Sequence, residues 1–337
     1  MEDYTSMESN FAVVGVGGRG SNLVHRLNMK GIKSADTIAI NTDAKHLNMI
    51  TAQKKLLIGR DLTRGLGAGG FPEIAAKCAD ASRSEIMDAL SKYDMIFLAA
   101  GLGGGTGTGA APIIAQMAKE MGILVMSFVT YPFSIERSRM TKADWALDGL
   151  TKNSDTTIVI ENDKLLSYAP NLPMERSFEL IDDITVNAVR GIADAIKIPS
   201  MINLDFADLK AVLKNGGTAV INIGNGSGVD KVDKAIKSTK THPLMNFDMQ
   251  GARSALIHIS AGTALTIDEC NRVAEGVTEG LDSKANVILG ARLLPELEDQ
   301  IKVTSIITGV KPILGKEEFV YTGKVQAGVG SILDSIY

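Results

Sequence analysis

Residues 95–114 read MIFLAAGLGGGTGTGAAPII: an apolar run from Met95 to Ala100, a glycine-rich stretch from Gly101 to Gly109, and a helix-compatible run containing Pro112. A buried strand feeding a glycine-rich turn and then a helix is the arrangement that cradles phosphates. Glycines let backbone N–H groups converge with no Cβ in the way, and the helix N-terminus adds partial positive charge. Thr106 and Thr108 add hydroxyl donors. The loop has no Lys, and the pattern G-x-x-x-x-G-K-[ST] occurs nowhere in the chain, so this is not a P-loop. Residues 95–118 carry no charge, but six glycines and a proline among them argue against a membrane span.

Two further glycine-rich turns precede this one. Phe11 to Val14 reads as a buried strand and runs into Gly15-Val16-Gly17-Gly18-Arg19-Gly20-Ser21-Asn22, followed by a helical pattern from Leu23 to Met29. Alone, the G-x-G-x-x-G match of Gly15, Gly17 and Gly20 is weak evidence for a dinucleotide site. The next strand, Thr37 to Ile40, ends in Asn41-Thr42-Asp43, and an acidic residue there suits a ribose hydroxyl. An NAD-dependent oxidoreductase is therefore the first rival reading. Residues 59–73 (GRDLTRGLGAGGFPE) form the other turn, with a helix expected through Leu90. Strands at Ile123 to Val129 and Ile158 to Ile160 end in Thr130-Tyr131-Pro132-Phe133 and Glu161-Asn162-Asp163. The alternation implies an α/β class with a mostly parallel sheet and ligand loops at the carboxyl ends of its strands. Three glycine-rich loops at one edge suit a polyphosphate wrapped from several sides better than a fold with one dinucleotide fingerprint.

From Glu175 to Ile198, Ile181, Ile184, Ala188, Ile192 and Ile196 recur at helical spacing, giving a helix long enough to join two domains and ended by Pro199. Its isoleucines read as core packing. In the following Asn203-Leu204-Asp205-Phe206-Ala207-Asp208, two carboxylates three apart before an apolar run read on their own as a helix cap. From Lys210 on, strand and helix patterns alternate (Thr218 to Ile223, Val229 to Ser238, Ala255 to Ser260, Ile267 to Gly280, Ala285 to Leu289, Val303 to Thr308) without a cluster of catalytic type.

At 337 residues, the chain is long enough for two domains. A net charge of −4 gives no basic footprint for nucleic acid. Cys78 and Cys270 form no metal-binding spacing with His25, His46, His242 or His258, and suit a reducing cytosol. Each histidine reads as surface or satisfied core. Met1-Glu2-Asp3 begins no apolar signal segment, so none is expected.

Taken together, these motifs closely resemble the FtsZ branch of the tubulin family. The carrying residues are Gly15 to Asn22, Asn41-Thr42-Asp43, Gly65 to Glu73, Gly103 to Gly109, Thr130 to Glu136, Asn162-Asp163-Lys164 and Asn203 to Asp208, in the family's order over roughly residues 11–312. The resemblance implies an N-terminal Rossmann-like parallel-sheet GTPase domain (10–175) and a long central helix (176–198). A smaller C-terminal α/β domain (199–312) carries the catalytic loop at its start, and a short tail (313–337) follows. It implies a GTPase that binds GTP and GDP, with Mg²⁺ expected, and polymerises head to tail with itself into filaments of the division ring in the cytoplasm. A membrane adaptor protein is a further candidate partner, for which residues 332–337 are the candidate docking segment. Neither nucleic acid nor direct membrane insertion is expected. Rivals inside the family are a shape or motility paralogue and a non-hydrolysing scaffold; intact Asp205 and Asp208 speak against the latter.

Carried over residue by residue, the resemblance gives Gly18, Arg19, Gly20, Ser21, Ala68, Gly69, Gly70, Gly103, Gly104, Gly105, Thr106, Gly107 and Thr108 to the phosphates, with Asp43 and Asn162 completing the nucleotide set. Asn22 matches a residue that touches guanine, and Phe178 one that stacks on it. Glu136 matches a ribose contact, with Arg139 as the neighbouring arginine in a segment one residue shorter than usual. Asp182 stands where the family usually has Asn, and its carboxylate can accept from guanine N1–H and the exocyclic amine. Arg19 replaces a glycine common in the family; a place near the phosphates and one facing solvent are both open. Asn203, Asp205 and Asp208 would act on the next subunit's site, the two Asp polarising water and Asn203 near the γ-phosphate. No metal ligands are assigned.

Overall fold

A computed structural model describes residues 9–168, 171, 173–240 and 247–312. His242 and the tail, with its candidate docking segment, lie outside the described residues.

The first half alternates strand and helix: β1 (Phe11–Val16), α1 (Gly17–Met29), β2 (Asp36–Asn41), α2 (Ala44–Met49), β3 (Lys54–Leu57), α3 (Arg60–Thr63), α4 (Pro72–Ala81), α5 (Arg83–Leu90), β4 (Met95–Gly101), α6 (Thr106–Glu120), β5 (Leu124–Tyr131), α7 (Arg137–Asn153), β6 (Thr156–Glu161) and α8 (Asp163–Tyr168). The long helix α9 (Met174–Lys197) follows, then α10 (Phe206–Leu213), β7 (Gly217–Ser227), α11 (Lys231–Lys240), β8 (Phe247–Asp248), β9 (Ser254–Ala261), α12 (Ile267–Thr278), β10 (Asn286–Leu293), β11 (Gln300–Thr308) and β12 (Lys311–Pro312).

Ten strands form one sheet in the order β10-β9-β11-β7-β6-β5-β4-β1-β2-β3. From β3 to β6 every pairing is parallel, whereas β11 runs antiparallel to both β7 and β9. The halves join where Thr156 to Ile158 of β6 pair with Gly217 to Ala219 of β7. Strands β1 (FAVVGV) and β4 (MIFLAAG) are buried on both faces, as continuous apolar runs in a helix-covered parallel sheet should be. The outermost strands are β3, of four residues, and β10.

Helix α9 has 24 residues and is therefore about 36 Å long. Its buried Ile181, Ile184, Ala188 and Ile192 share one apolar cluster with Phe11, Phe97 and Phe128 of the first half and Ile221, Leu256 and Ile306 of the second. The opposite face of β1, β2 and β4 packs on α4 to α7, while α11 and α12 cover the second half.

Three local expectations are corrected. The helix drawn through Leu90 is two helices, α4 and α5, interrupted at Ser82. The helix expected from Leu23 already starts at Gly17, inside the glycine-rich turn. His258 is buried, but its Nε2 has no hydrogen-bond partner, so it is not a satisfied core residue.

Candidate functional site

Strands β1 and β4 are parallel neighbours, paired from Phe11–Met95 to Val16–Ala100. Each ends in a glycine turn that opens a helix, so the N-termini of α1 and α6 lie side by side at one edge of the sheet. Their free N–H groups and dipoles favour an anion there. Gly17 holds φ +72, and a Cβ on it would lie 2.7 Å from the backbone N of Gly107. A Cβ on Gly105 would lie 3.0 Å from Ala68 Cβ and 3.1 Å from Gly70 N. The structure thus brings the turns at 15–22, 65–71 and 101–109 together, as their glycine content requires.

The hydroxyls of Ser21 and Thr108 are buried here without hydrogen-bond partners, an arrangement that leaves donors for an incoming acceptor. Thr106 Oγ1 lies 2.7 Å from Thr42 Oγ1, and Lys142 Nζ donates to Gly70 O at 2.8 Å. Thr42 belongs to the Asn41-Thr42-Asp43 motif, whereas Lys142 was marked by none. Among the described residues no group of three or more His, Cys, Asp or Glu is placed to hold a metal ion.

At one end of this cradle stand Phe178 and Asp182, on α9. Phe178 packs edge-on against Phe133 with ring centres 6.2 Å apart. Asp182 is buried between two arginines, with Arg19 Nη2 3.3 Å from Oδ1 and Arg26 Nε 3.3 Å from Oδ2. Burial pushes its carboxyl above the ordinary range, an effect the two arginines oppose. Arg19 also lays its guanidinium over the Phe178 ring, 4.8 Å from the centre. Of its two open placements it takes neither outright: the side chain crosses Gly101 of the third turn, stays 21% exposed, and ends on Phe178 and Asp182.

The other assigned residues spread around the same edge. Asn22 Oδ1 is 3.0 Å from His46 Nε2, and His46 Nδ1 is 3.3 Å from Asn41 Nδ2. His46 thus belongs to the site, which its isolated position in sequence did not reveal. Asp43 caps α2 by accepting from His46 N–H at 3.0 Å. Glu136 Oε1 accepts from Phe133 N–H at 3.3 Å and Oε2 pairs with Arg139 at 2.8 Å. Asn162, at the end of β6, is buried with Oδ1 unpartnered.

Asn203, Asp205 and Asp208 lie elsewhere. Phe206, next to Asp205, packs on Phe11 with ring centres 5.8 Å apart. Phe11 begins β1, whereas the phosphate turn follows the end of β1 at Val16, roughly 17 Å away over five residue steps. The carboxylate loop is therefore at the amino edge of the sheet and the cradle at the carboxyl edge. Asp205 caps α10 by accepting from Asp208 N–H at 2.8 Å, and Asp208 returns the bond to Asp205 N–H at 3.1 Å. One oxygen of each, Asp205 Oδ2 and Asp208 Oδ1, takes no part in this box. Asn203 Oδ1 accepts from Ser200 N–H at 2.7 Å.

The sequence matches the family model of the Tubulin/FtsZ family GTPase domain over residues 10–170 and that of the FtsZ family C-terminal domain over residues 217–311. It is 50% identical over 315 residues to cell division protein FtsZ 2 of Methanocaldococcus jannaschii, covering 92% of this chain and 83% of that protein. The chain belongs to the FtsZ family. An FtsZ dimer from M. jannaschii has the same fold, with a TM-score of 0.84 and 40% identity over 94% of this chain and 96% of that one. CetZ1 from Haloferax volcanii, a GDP-bound monomer, matches with a TM-score of 0.78 at 20% identity over 90% of this chain and 94% of that one, a likeness of fold alone. The FtsZ fold, with its cradle at one edge of the sheet, leaves the oxidoreductase reading without support. Among the described residues no helix is long and apolar enough to cross a membrane.

Proposed function

We propose that this FtsZ-family chain binds and hydrolyses GTP, and that it assembles head to tail into filaments of the division ring, where the acid loop of one subunit completes the nucleotide site of the next. The observation that carries this reading is the placement of the two halves of the site on opposite edges of one sheet. No side-chain motion brings Asp205 or Asp208 to the cradle of its own chain, whereas a second copy stacked along the same axis does. A heterologous contact of this kind, without a closing rotation, produces an open filament.

In this reading the turns at 15–22, 65–71 and 101–109 hold the polyphosphate through backbone N–H groups, and Ser21, Thr106 and Thr108 supply hydroxyl donors. Phe178, Asp182 and Asn22 take the guanine, and Glu136 the ribose. A bound Mg²⁺ would neutralise charge that develops on the phosphates. The capping box fixes Asp205 and Asp208, leaving one carboxylate oxygen of each for a water molecule. That water's oxygen attacks the γ-phosphorus, the bond to the GDP oxygen breaks, and the water proton passes to a carboxylate. Asn203 positions the γ-phosphate. Domain limits of 10–175, 176–198 and 199–312 accompany this reading, with the long helix between the two halves of the site.

The test is GTP turnover per subunit against protein concentration, with light scattering in parallel. Turnover that rises only above a threshold shared with scattering supports a site built between subunits. Turnover per subunit that stays constant on dilution would show a site complete in one chain.

A further inference from the structure

Arg19 occupies ground that the proposed function gives to a nucleotide base. Its guanidinium carbon is 4.8 Å from the centre of the Phe178 ring, and its Nη2 is 3.3 Å from Asp182 Oδ1. These are the two groups assigned to guanine, one for its face and one for its N1–H and 2-amino edge. The chemistry matches on both counts. A guanidinium is planar, stacks on an aromatic face, and presents N–H donors in a fork that suits a carboxylate. The N1–C2(NH₂)–N3 portion of guanine is itself a guanidine unit, so side chain and base offer Phe178 and Asp182 the same plane and the same donors.

The hold on Arg19 is loose. Its Nε and Nη2 are buried without a hydrogen-bond partner, because the ion pair with Asp182 has the distance but not the geometry of a hydrogen bond. Burial also works against its charge, holding its pKa below the ordinary arginine range. The second oxygen of Asp182 is held separately by Arg26 Nε at 3.3 Å, so the carboxylate keeps one cationic partner when Arg19 leaves. Arg19 Cβ lies against Gly101, 2.7 Å from where a Cβ on that glycine would stand. The backbone is thereby fixed, and an exchange needs only rotation of the long side chain.

We infer that Arg19 is an intramolecular competitor for the base pocket: its guanidinium stands in for guanine on Phe178 and Asp182, and a nucleotide seats its base by exchanging with it. The inference rests on the assignment of Phe178 and Asp182 to the base. The exchange costs a stacked cation and a partly desolvated ion pair, and so sets nucleotide affinity below what the pocket would otherwise give. It concerns the base alone, since the Arg19 guanidinium is directed at Phe178 and Asp182, while only its Cβ and Cγ lie against a phosphate turn, at Gly101.

The experiment compares GDP with tripolyphosphate, which carries charge but no base, by titration calorimetry on the full chain. Arg19→Ala is expected to bind GDP about tenfold more tightly than the unaltered chain while its tripolyphosphate affinity stays within about twofold. Arg19→Lys, which keeps the charge but neither the plane nor the fork, is expected to tighten GDP as well, by less. Arg19→Ala that binds GDP equally or more weakly overturns the inference, and weaker tripolyphosphate binding would make Arg19 a phosphate ligand instead. Phe178→Ala separates the two levels of argument. If it weakens GDP but not tripolyphosphate, the base pocket stands, and the arginine variants alone decide the inference. If it leaves GDP unchanged, the assignment of the pocket falls, and the inference falls with it.

Discussion

Replacing Asp205 with Asn separates the helix-capping role of the acid loop from its proposed chemistry. Asn is as good an N-cap as Asp, and its Oδ1 can accept the same Asp208 N–H that now lies 2.8 Å away. The cost to the fold is the charge at the N-terminus of α10, about 0.5 kcal/mol for an exposed site, or a shift in Tm of roughly 2 °C. Turnover should fall by about 100-fold, because a neutral amide no longer takes the water proton, a loss of about 2.7 kcal/mol of barrier lowering. The complementary variant is Gly104→Glu. A Cβ at Gly104 meets nothing within 4 Å, so the carboxylate enters the cradle without displacing protein atoms and repels phosphate. Each variant alone should be nearly inactive. Mixed one to one, random contacts pair an intact cradle with an intact acid loop about a quarter of the time, so turnover should recover to about a quarter of that of the unaltered chain. A phosphate-release assay on the mixture reads this directly. No recovery above the sum of the separate variants, at concentrations where the mixture scatters light, would refute the shared site.

Two further outcomes follow from buried groups. Thr108→Val removes a buried, unpartnered hydroxyl, so the nucleotide-free protein should melt at the same temperature or a few degrees higher, while GDP affinity drops by about tenfold if that hydroxyl donates to phosphate; thermal melts with and without GDP measure both. His258 is pushed down to about 4, chiefly by burial and then by Arg292, with Asp194 opposing. The folded protein therefore holds this imidazole neutral while the unfolded chain protonates near its ordinary 6.5. Stability present above pH 6.5 is lost as pH falls from about 6.5 to about 4, by up to roughly 3 kcal/mol. Urea unfolding at several pH values should show a shallower acid-side decline for His258→Gln than for the unaltered chain.

The sheet and cradle were legible in sequence because each rests on a local signal. Apolar runs such as Met95 to Ala100 can be buried only as central strands, and a glycine-rich turn after such a strand declares close backbone contact before any partner is known. What could not be read was set by distance along the chain. Arg19 meets Phe178 and Asp182 across some 160 residues, and nothing around Gly18-Arg19-Gly20 indicates which way a long side chain turns. His46 looked isolated because one of its partners, Asn22, is brought to it by the pairing of β1 with β2, while the other, Asn41, lies five residues away and gives no titratable neighbour. The break at Ser82 lies between Asp80 and Ser84, with no proline or glycine to mark it. The carboxylates at Asp205 and Asp208 were visible, and so was their capping; which edge of the sheet they occupy was not, since that depends on α9 carrying the chain back along its length.

The ten-stranded sheet also has a consequence for how copies of the chain avoid one another. A long sheet with two open sides is a template for further strands, and a protein that works in crowded assemblies would be exposed to sideways fusion. Both sides are blunted. Strand β3 is only four residues long and begins Lys54-Lys55, both exposed, so an approaching strand meets two ammonium groups before it finds a backbone donor. On the far side, Ile202 exchanges two backbone hydrogen bonds with Ala291 of β10, at 3.0 and 3.1 Å, and removes the middle of that rim from use. Lateral accretion is discouraged by charge on one flank and by prior occupation on the other.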